Sequence, residues 1–449
     1  MIKKYKQKFS IQLKDKDFSE IIKGGSIHLV AKVISVLLGV LFSLIITRYY
    51  GVMEMGVYSI VNSYFVIALI FSMLGMHTAI LRFIPEHIAK YSYKSAYQLF
   101  LQIFKIVFFM SIVLTGVSYF FSEFIAEIIF KKEYLYPLFT LASFFIIFQA
   151  LGKLSLEAIR ALKLIKVYAL FDVLNVLFKI LLLIILTYFF YEEYNSIYTL
   201  FTSYILLFLG SLLFVLYFFK HKKNDLDNVE KYTNKNINNI AFPMFLTGMM
   251  SAVISQTDIV MLGMIATIED VGIYAISAKL AMLTSFVLTS INSIATPKFS
   301  ELYYSGEIDI LISVAQRSSK LIFLVSLPII LIFIVFGKYI LSIFGEEFIL
   351  GYPVLLLLVL GQFVNGMAGS VGSFLNMTGH QKVFNRIVIV GGISNIVLNY
   401  TLIPIYGIEG AAFASMLSII LWNLLASFYI KYKFGFYIGY MPRKRKRKE

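Results

Sequence analysis

No cysteine occurs among the 449 residues, which excludes disulfides, thiolate metal sites and cysteine-based catalysis. Charge is scarce as well: Asp, Glu, Lys and Arg make up 14% of the chain against 59% hydrophobic residues. No soluble fold could hide that much apolar surface. Catalytic signatures are missing too. The chain has no GxxxxGK[ST] phosphate loop, no HExxH zinc helix and no GxSxG nucleophile elbow. Nothing in it marks a catalytic residue, a resident metal or a cofactor.

What the chain does have is length in apolar runs. Stretches at 25–47, 56–80, 97–121, 134–156, 167–189, 197–219, 240–264, 277–297, 320–343, 353–376, 384–403 and 410–433 each approach the ~20 residues that cross ~30 Å of hydrocarbon. The fold class read from them is an all-α polytopic membrane protein with twelve transmembrane helices. The connections on one side are short, which leaves no room for an external catalytic domain.

The basic residues are sorted between the connections. Seven Lys lie in residues 1–24, and alternate loops carry Arg82, Lys90 and Lys94; Arg160, Lys163 and Lys166; Lys220, Lys222 and Lys223; Lys298, Arg317 and Lys320; Lys382 and Arg386. The opposite side holds only Arg48, Lys131, Lys132 and Lys338. Lys and Arg near a span resist translocation, so both termini are expected inside, in a multi-pass protein of the cytoplasmic membrane. The formal charge of +15 then serves topology and contact with anionic lipids, not nucleic acid. The Arg443–Lys448 run reads as a cytoplasmic anchor on the same grounds. The expected segments are a basic tail (1–24), a first six-helix lobe (25–219), a polar linker (220–239), a second six-helix lobe (240–433) and a second basic tail (434–449). Within the linker, Asp225-Leu226-Asp227 imitates a sugar-nucleotide metal motif, but no nucleotide-binding domain surrounds it.

The two lobes resemble each other at a fixed offset. Val52 to Ile60 aligns with Ile268 to Ile276, 216 residues later, and Lys166-Val167-Tyr168 meets Lys382-Val383-Phe384 at the same offset. Six helices per repeat give both repeats one orientation, related by a pseudo-two-fold axis along the membrane normal. That plan is common in transporters that alternate access to a site between the repeats.

Polar residues recur at helical spacing within the spans: His28, Lys32 and Ser35; Asp172, Asn175 and Lys179; Thr247, Ser251, Ser255 and Asp258; Ser285, Thr289 and Asn292; Gln362, Asn365, Gly369 and Ser373; Asn395 and Asn399. Ionisable groups in hydrocarbon are costly unless they face protein or water, so these stripes are expected to face inward. Ser, Thr and Gly at such spacing also serve close helix packing, which is the ordinary reading of Gly366, Gly369, Ser370 and Ser373. Snorkelling or local ion pairing is the ordinary reading of Lys105, Lys153 and Asp172. The candidate substrate-binding residues are His28, Lys32, Arg48, Lys179, Lys279 and Asn292; their excess positive charge suits an anion. Asp258 is the candidate for a coupling proton or sodium ion, or for neutralising a lysine.

Several segments carry a resemblance to a known family: Gly24-Gly25-Ser26 opening a polar first helix, Thr47-Arg48-Tyr49-Tyr50-Gly51 followed by Gly56-Val57-Tyr58, Asp270-Val271-Gly272-Ile273-Tyr274, Ala295-Thr296-Pro297-Lys298-Phe299, Leu375 to Lys382, and Asn399 to Ala412. Together they resemble the Wzx-type polysaccharide flippases of the superfamily that also holds multidrug (MATE) exporters and lipid II flippases. The resemblance implies a V-shaped pair of lobes with a cavity lined by the first, second, seventh and eighth helices. It also implies a polyprenyl-diphosphate-linked oligosaccharide moved from the inner to the outer leaflet by an ion gradient, with glycan polymerase or ligase partners. The alternative is a MATE-like cation-coupled multidrug exporter. A membrane-embedded glycan transferase is a third reading, without a motif to support it.

Because no native cysteine interferes, single cysteines report topology directly. Asp225→Cys is expected to react with a membrane-impermeant maleimide only after the inner face is exposed, and Lys131→Cys in intact cells. The reverse pattern would overturn the assigned orientation.

Overall fold

Backbone N–H and C=O groups find no water in hydrocarbon, so a spanning chain must bond to itself, as a helix does. The computed structural model of the chain describes residues 16–190, 192–222 and 234–439, and these are overwhelmingly helical, without strands. In order they form α1 (Lys16–Met73), α2 (Met76–Lys90), α3 (Tyr93–Phe120), α4 (Tyr136–Ala161), α5 (Ile165–Phe189), α6 (Asn195–Lys222), α7 (Asn234–Ile265), α8 (Ile268–Tyr304), α9 (Ile308–Ser342), α10 (Tyr352–Ala368), α11 (Val371–Met377) and α12 (Gln381–Phe434). Residues 1–15, most of the 220–239 linker with Asp225-Leu226-Asp227, and the Arg443–Lys448 run lie outside the described residues.

Ten segments among the described residues are long and apolar enough to cross a membrane. The first, Val30–Met73, has 44 residues and the last, Gln381–Phe434, has 54; each is long enough for two crossings of ~20 residues. Each is interrupted once by a non-helical glycine, Gly51 (φ 84°) in α1 and Gly407 (φ 54°) in α12. A residue with a Cβ enters that left-handed region only at a cost, so glycine suits the kink at each position. Two of the apolar stretches are broken instead of continuous. Leu74 (φ 44°) and Gly75 (φ 79°) separate α1 from α2, and Gly369 (φ 73°) separates α10 from α11. A Cβ on Gly75 would meet the backbone of Ala241, and one on Gly369 the side chain of Ser319. Hydropathy senses neither backbone angle nor close approach.

Helix starts follow local chemistry. Thr267 and Asp270 form a reciprocal capping box at the head of α8, with N–H to oxygen distances of 3.2 and 3.3 Å. Ser92 accepts from the N–H of Ser95 at 3.2 Å at the head of α3. The 3₁₀ turns Glu133–Leu135 and Glu346–Gly351 feed into Tyr136-Pro137 and Tyr352-Pro353, so α4 and α10 both carry proline in the first turn, where its missing N–H costs nothing. These two starts are again 216 residues apart.

The chain divides into two compact units, one of residues 1–45 and 64–249, the other of 46–63 and 250–449. In the first, Met73, Phe100, Leu154, Ile159 and Phe219 belong to one buried cluster. Phe145 stacks on Phe201 with ring centroids 4.4 Å apart. Gly152 lets α4 approach α6, its Cβ position lying 3.0 Å from the backbone nitrogen of Phe208. In the second, Phe299, Leu311, Phe374 and Ile430 form the core, and Gly361 lets α10 approach α12, a Cβ there lying 3.2 Å from the Cα of Met416. Segment 46–63 is fixed into this second unit by a reciprocal contact. Gly56 faces the backbone carbonyl of Ile268, and Gly272 faces that of Val52. Each partner is the 216-residue image of the other, as a two-fold repeat requires. The large exposed side chains, such as Phe120, Leu213 and Val335, face where lipid would lie.

A methyl group at either position of the reciprocal contact would overlap a carbonyl oxygen. Gly56→Ala and Gly272→Ala are each expected to destabilise the protein by about 1–3 kcal/mol, read as a lowered melting temperature in detergent. Gly116→Ala, with open space at its Cβ, is expected to be neutral or slightly stabilising.

Candidate functional site

Asp258 is buried on α7, and four neutral donors converge on it within the second unit. Tyr274 Oη on α8 donates to Oδ2 at 2.5 Å, and Ser415 Oγ on α12 to the same oxygen at 2.5 Å. Asn399 Nδ2 donates to Oδ1 at 2.7 Å and Asn395 Nδ2 at 3.3 Å. Asn395 and Asn399 share a helical face at i,i+4, and Asn399 Nδ2 also donates to Asn395 Oδ1 at 3.1 Å. The reversal at Gly407 turns the second part of α12 back, so that Ser415 meets Asn395 at 3.1 Å. No Lys, Arg or His pairs with Asp258 among the described residues. Hydrogen bonds to an ionised acceptor contribute about 1.5–3 kcal/mol each, and together they offset the cost of an acid in a membrane span.

The arrangement is rich in oxygen. Besides the carboxylate it holds two hydroxyls and two amide carbonyls, and Asn399 Oδ1 is buried with no hydrogen-bond partner among the described residues. A single negative charge among hard oxygen donors matches a proton or a small monovalent cation.

The first unit handles charge differently. Lys153 Nζ meets Glu157 at 2.8 Å and Arg160 meets it at 3.5 Å, with the Glu157 side chain only 5% exposed. The Arg160 guanidinium also lies 5.6 Å from the centre of the Tyr168 ring. One turn beyond Tyr168 on α5, Asp172 faces Lys32 of α1 at 3.8 Å, a separation well beyond the 2.7–2.9 Å of a tight charged hydrogen bond. Lys32 is half exposed. Lys179, further along α5, has no carboxylate in ion-pair reach among the described residues. Its ammonium lies 5.7 Å from the centre of the Tyr204 ring.

The remaining candidates are dispersed. Arg48 donates to the carbonyls of Ile343 (2.5 Å) and Ser342 (3.1 Å), capping the end of α9. Lys279 is partly buried on α8, five residues beyond Tyr274. Asn292, also on α8, has a buried Oδ1 without a hydrogen-bond partner among the described residues. The side chain of His28 lies outside the described residues. Sequence reasoning paired Asn395 with Asn399 but missed Tyr274 and Ser415 beside Asp258, and it missed Glu157. The i,i+4 spacing of Lys153 and Glu157 was a usable signal for the last. For the two hydroxyl residues no sequence signal distinguishes a site from packing.

The arrangement of helices defines a class. Lipid II flippase MurJ in an inward closed conformation aligns with a TM-score of 0.74 at 17% identity, over 90% of this chain and 87% of that one. An inward-facing multidrug resistance MATE family transporter of the MOP superfamily also aligns at 0.74 and 12% identity, over 92% and 98%. The chain thus has the fold of the MOP superfamily transporters. A model of the polysaccharide biosynthesis protein family matches residues 21–303, and the chain belongs to that family. A MatE model matches residues 243–401. The probable low-salt glycan biosynthesis flippase Agl15 of Haloferax volcanii is 26% identical over 177 residues, 39% of this chain and 38% of that protein. The probable flippase AglR of the same organism is 26% identical over 175 residues, 38% and 37% of the two chains. The matched stretch spans under two fifths of the length of these relatives.

Glu157→Gln removes the charge that holds Lys153 and Arg160 together and is expected to lower stability by about 1–3 kcal/mol. Lys298→Ala breaks an exposed pair with Glu301 (2.7 Å) and is expected to cost under ~1 kcal/mol. Thermal unfolding of both variants side by side checks the contrast.

Proposed function

We propose that this protein is a flippase that carries a polyprenyl-diphosphate-linked oligosaccharide from the inner to the outer leaflet of the cytoplasmic membrane, for surface glycan assembly. The observation that carries this reading is the polysaccharide biosynthesis family match across residues 21–303, supported by glycan-flippase relatives over part of the chain. The chain crosses twelve times, with both termini inside, α1 and α12 each supplying two crossings at Gly51 and Gly407. It transports and does not catalyse.

The side chains fit such a cargo. Lys32, with a loosely held carboxylate partner, can exchange Asp172 for a diphosphate oxygen. Asn292 and Lys279 offer an amide and an ammonium to sugar or phosphate, and a polyprenyl tail needs only the lipid-facing surface. His28 and Arg48 join this set by position on α1. Asp258 and its four donors serve as the coupling site: a proton or sodium ion that enters replaces donated hydrogen bonds with direct oxygen contacts, drawing α7, α8 and the two parts of α12 into a different balance. Anionic lipids meet the basic inner loops, and a glycan polymerase or ligase receives the product.

A second reading, a cation-coupled multidrug exporter, draws on the MatE match at 243–401 and on the membrane-buried acid at Asp258. Cells depleted of the protein separate the two. Leaflet-resolved enzymatic labelling is expected to show lipid-linked oligosaccharide building up on the inner side with surface glycan lost. Full-length wild type is expected to restore the distribution, whereas Lys32→Glu and Asp258→Asn, at normal expression, should fail to do so. Unchanged glycan in both leaflets would overturn the flippase reading in favour of drug export.

A further inference from the structure

The 216-residue repeat assigns every residue around Asp258 a counterpart in the first half of the chain. Tyr274 maps to Tyr58, which belongs to the second unit, and Ser415 to Thr199, which keeps a hydroxyl in the first. Asp258 maps to Phe42 and Asn399 to Leu183, which replaces the carboxylate and one amide by buried apolar side chains, 3% and 0% exposed. Asn395 maps to Lys179. The first half has lost the acid and gained a base.

Packing supports the equivalence. Within the second unit, Gly391 lies against Trp422 across the two arms of α12, its Cβ position 3.2 Å from the tryptophan Cβ. The 216-residue images of this pair are Asn175 and Leu206. In the first unit the close contact between α5 and α6 is Gly210 against Phe171, 3.1 Å from the Gly210 Cβ position. That is one turn away along both antiparallel helices. The α5–α6 pair therefore has the same register as the two arms of α12, and the offset holds on both sides of the turn.

We propose that Lys179 is a tethered cation: it stands in the first half of the chain where Asn395 stands beside Asp258 in the second, and its ammonium supplies permanently the positive charge that a free cation supplies at Asp258. The Tyr204 ring faces the ammonium at 5.7 Å, within reach of a cation–π attraction. Gln149 donates to Tyr204 Oη at 3.4 Å and keeps a buried Oε1 with no partner among the described residues. Thr199 Oγ1 is likewise buried without one. Of these three, Thr199 is the image of a residue around Asp258, whereas Tyr204 and Gln149 map to Ile420 and Asn365, outside that cluster. On this assignment the chain loads one exchangeable cation per cycle, and Lys179 leaves the set of substrate-contacting lysines. The proposal rests on the Asp258 reading only for that cation count; the charge requirement at Lys179 stands or falls by itself.

Thermal unfolding of the purified full-length protein tests it. Lys179→Ala is expected to melt several degrees below wild type, to recover with ammonium or methylammonium, and not to recover with tetrabutylammonium at equal concentration. Lys179→Arg is expected to stay closest to wild type. Lys179→Met, which keeps the stem and discards the charge, is expected to melt low and to ignore ammonium. A membrane-embedded ammonium with nothing arranged for it would instead cost stability, and Lys179→Met would then melt at or above wild type; that result, or absence of rescue in Lys179→Ala, overturns the proposal. If Lys179→Ala does not fold, amine acylation of the intact wild type decides: Lys179 should be protected while Lys32 is modified, and equal modification of the two overturns the assignment. None of these readouts depends on glycan or on Asp258.

Discussion

In hydrocarbon, apolar burial gives a helix no reason to prefer another helix over lipid, and the packing of this chain follows from that constraint. Helices meet where side chains are absent: at Gly152 against Phe208, at Gly361 against Met416, and at Gly56 and Gly272 against each other's neighbourhood. The large apolar side chains are left to the outside, and serine, threonine and asparagine crowd the interior. Most of the buried hydroxyls are satisfied by their own helix. Ser59 donates to the carbonyl of Met55 at 2.7 Å, Ser72 to Ala68 at 2.9 Å and Ser418 to Ala414 at 2.8 Å. A buried serine in such a protein is thus a spacer first, and marks a site only when its hydroxyl leaves its own helix, as that of Ser415 does.

The two units solve the problem of charge in opposite ways. The first uses ion pairs, Lys153 and Arg160 around Glu157 and Lys32 opposite Asp172. The second surrounds Asp258 with neutral dipoles from α8 and both arms of α12. An ion pair supplies a permanent counter-charge and closes the account locally. At Asp258 the carboxylate meets neutral donors alone among the described residues, each with an oxygen of its own.

The spans, the repeat and the pairing of Asn395 with Asn399 were legible in the sequence because each leaves a periodic trace: length in apolar residues, a constant offset, and an interval of four. Asn395 and Asn399 stood out for that reason, and Asp258 because an acid in a span is rare. Tyr274 and Ser415 did not, since a tyrosine or serine in a helix looks the same whether it packs or donates to a carboxylate brought from elsewhere. The breaks at Leu74–Gly75 and Gly369 were hidden because they depend on the backbone of Ala241 and the side chain of Ser319, far away in sequence. Asp172 beside Lys32 was legible as a residue prone to local pairing, but not in its partner, which comes from a different helix.

The reciprocal contact of Gly56 and Gly272 within the second unit carries a consequence for how such a chain arises. Two copies of one segment touch each other through the same atoms, glycine of one to carbonyl of the other and back. That is the geometry of an isologous subunit interface, in which a single patch is its own complement. A half-length ancestor bearing one such glycine would have been self-complementary at this edge. Fusing its two copies would have required no new surface, and afterwards neither copy could change shape here without the other.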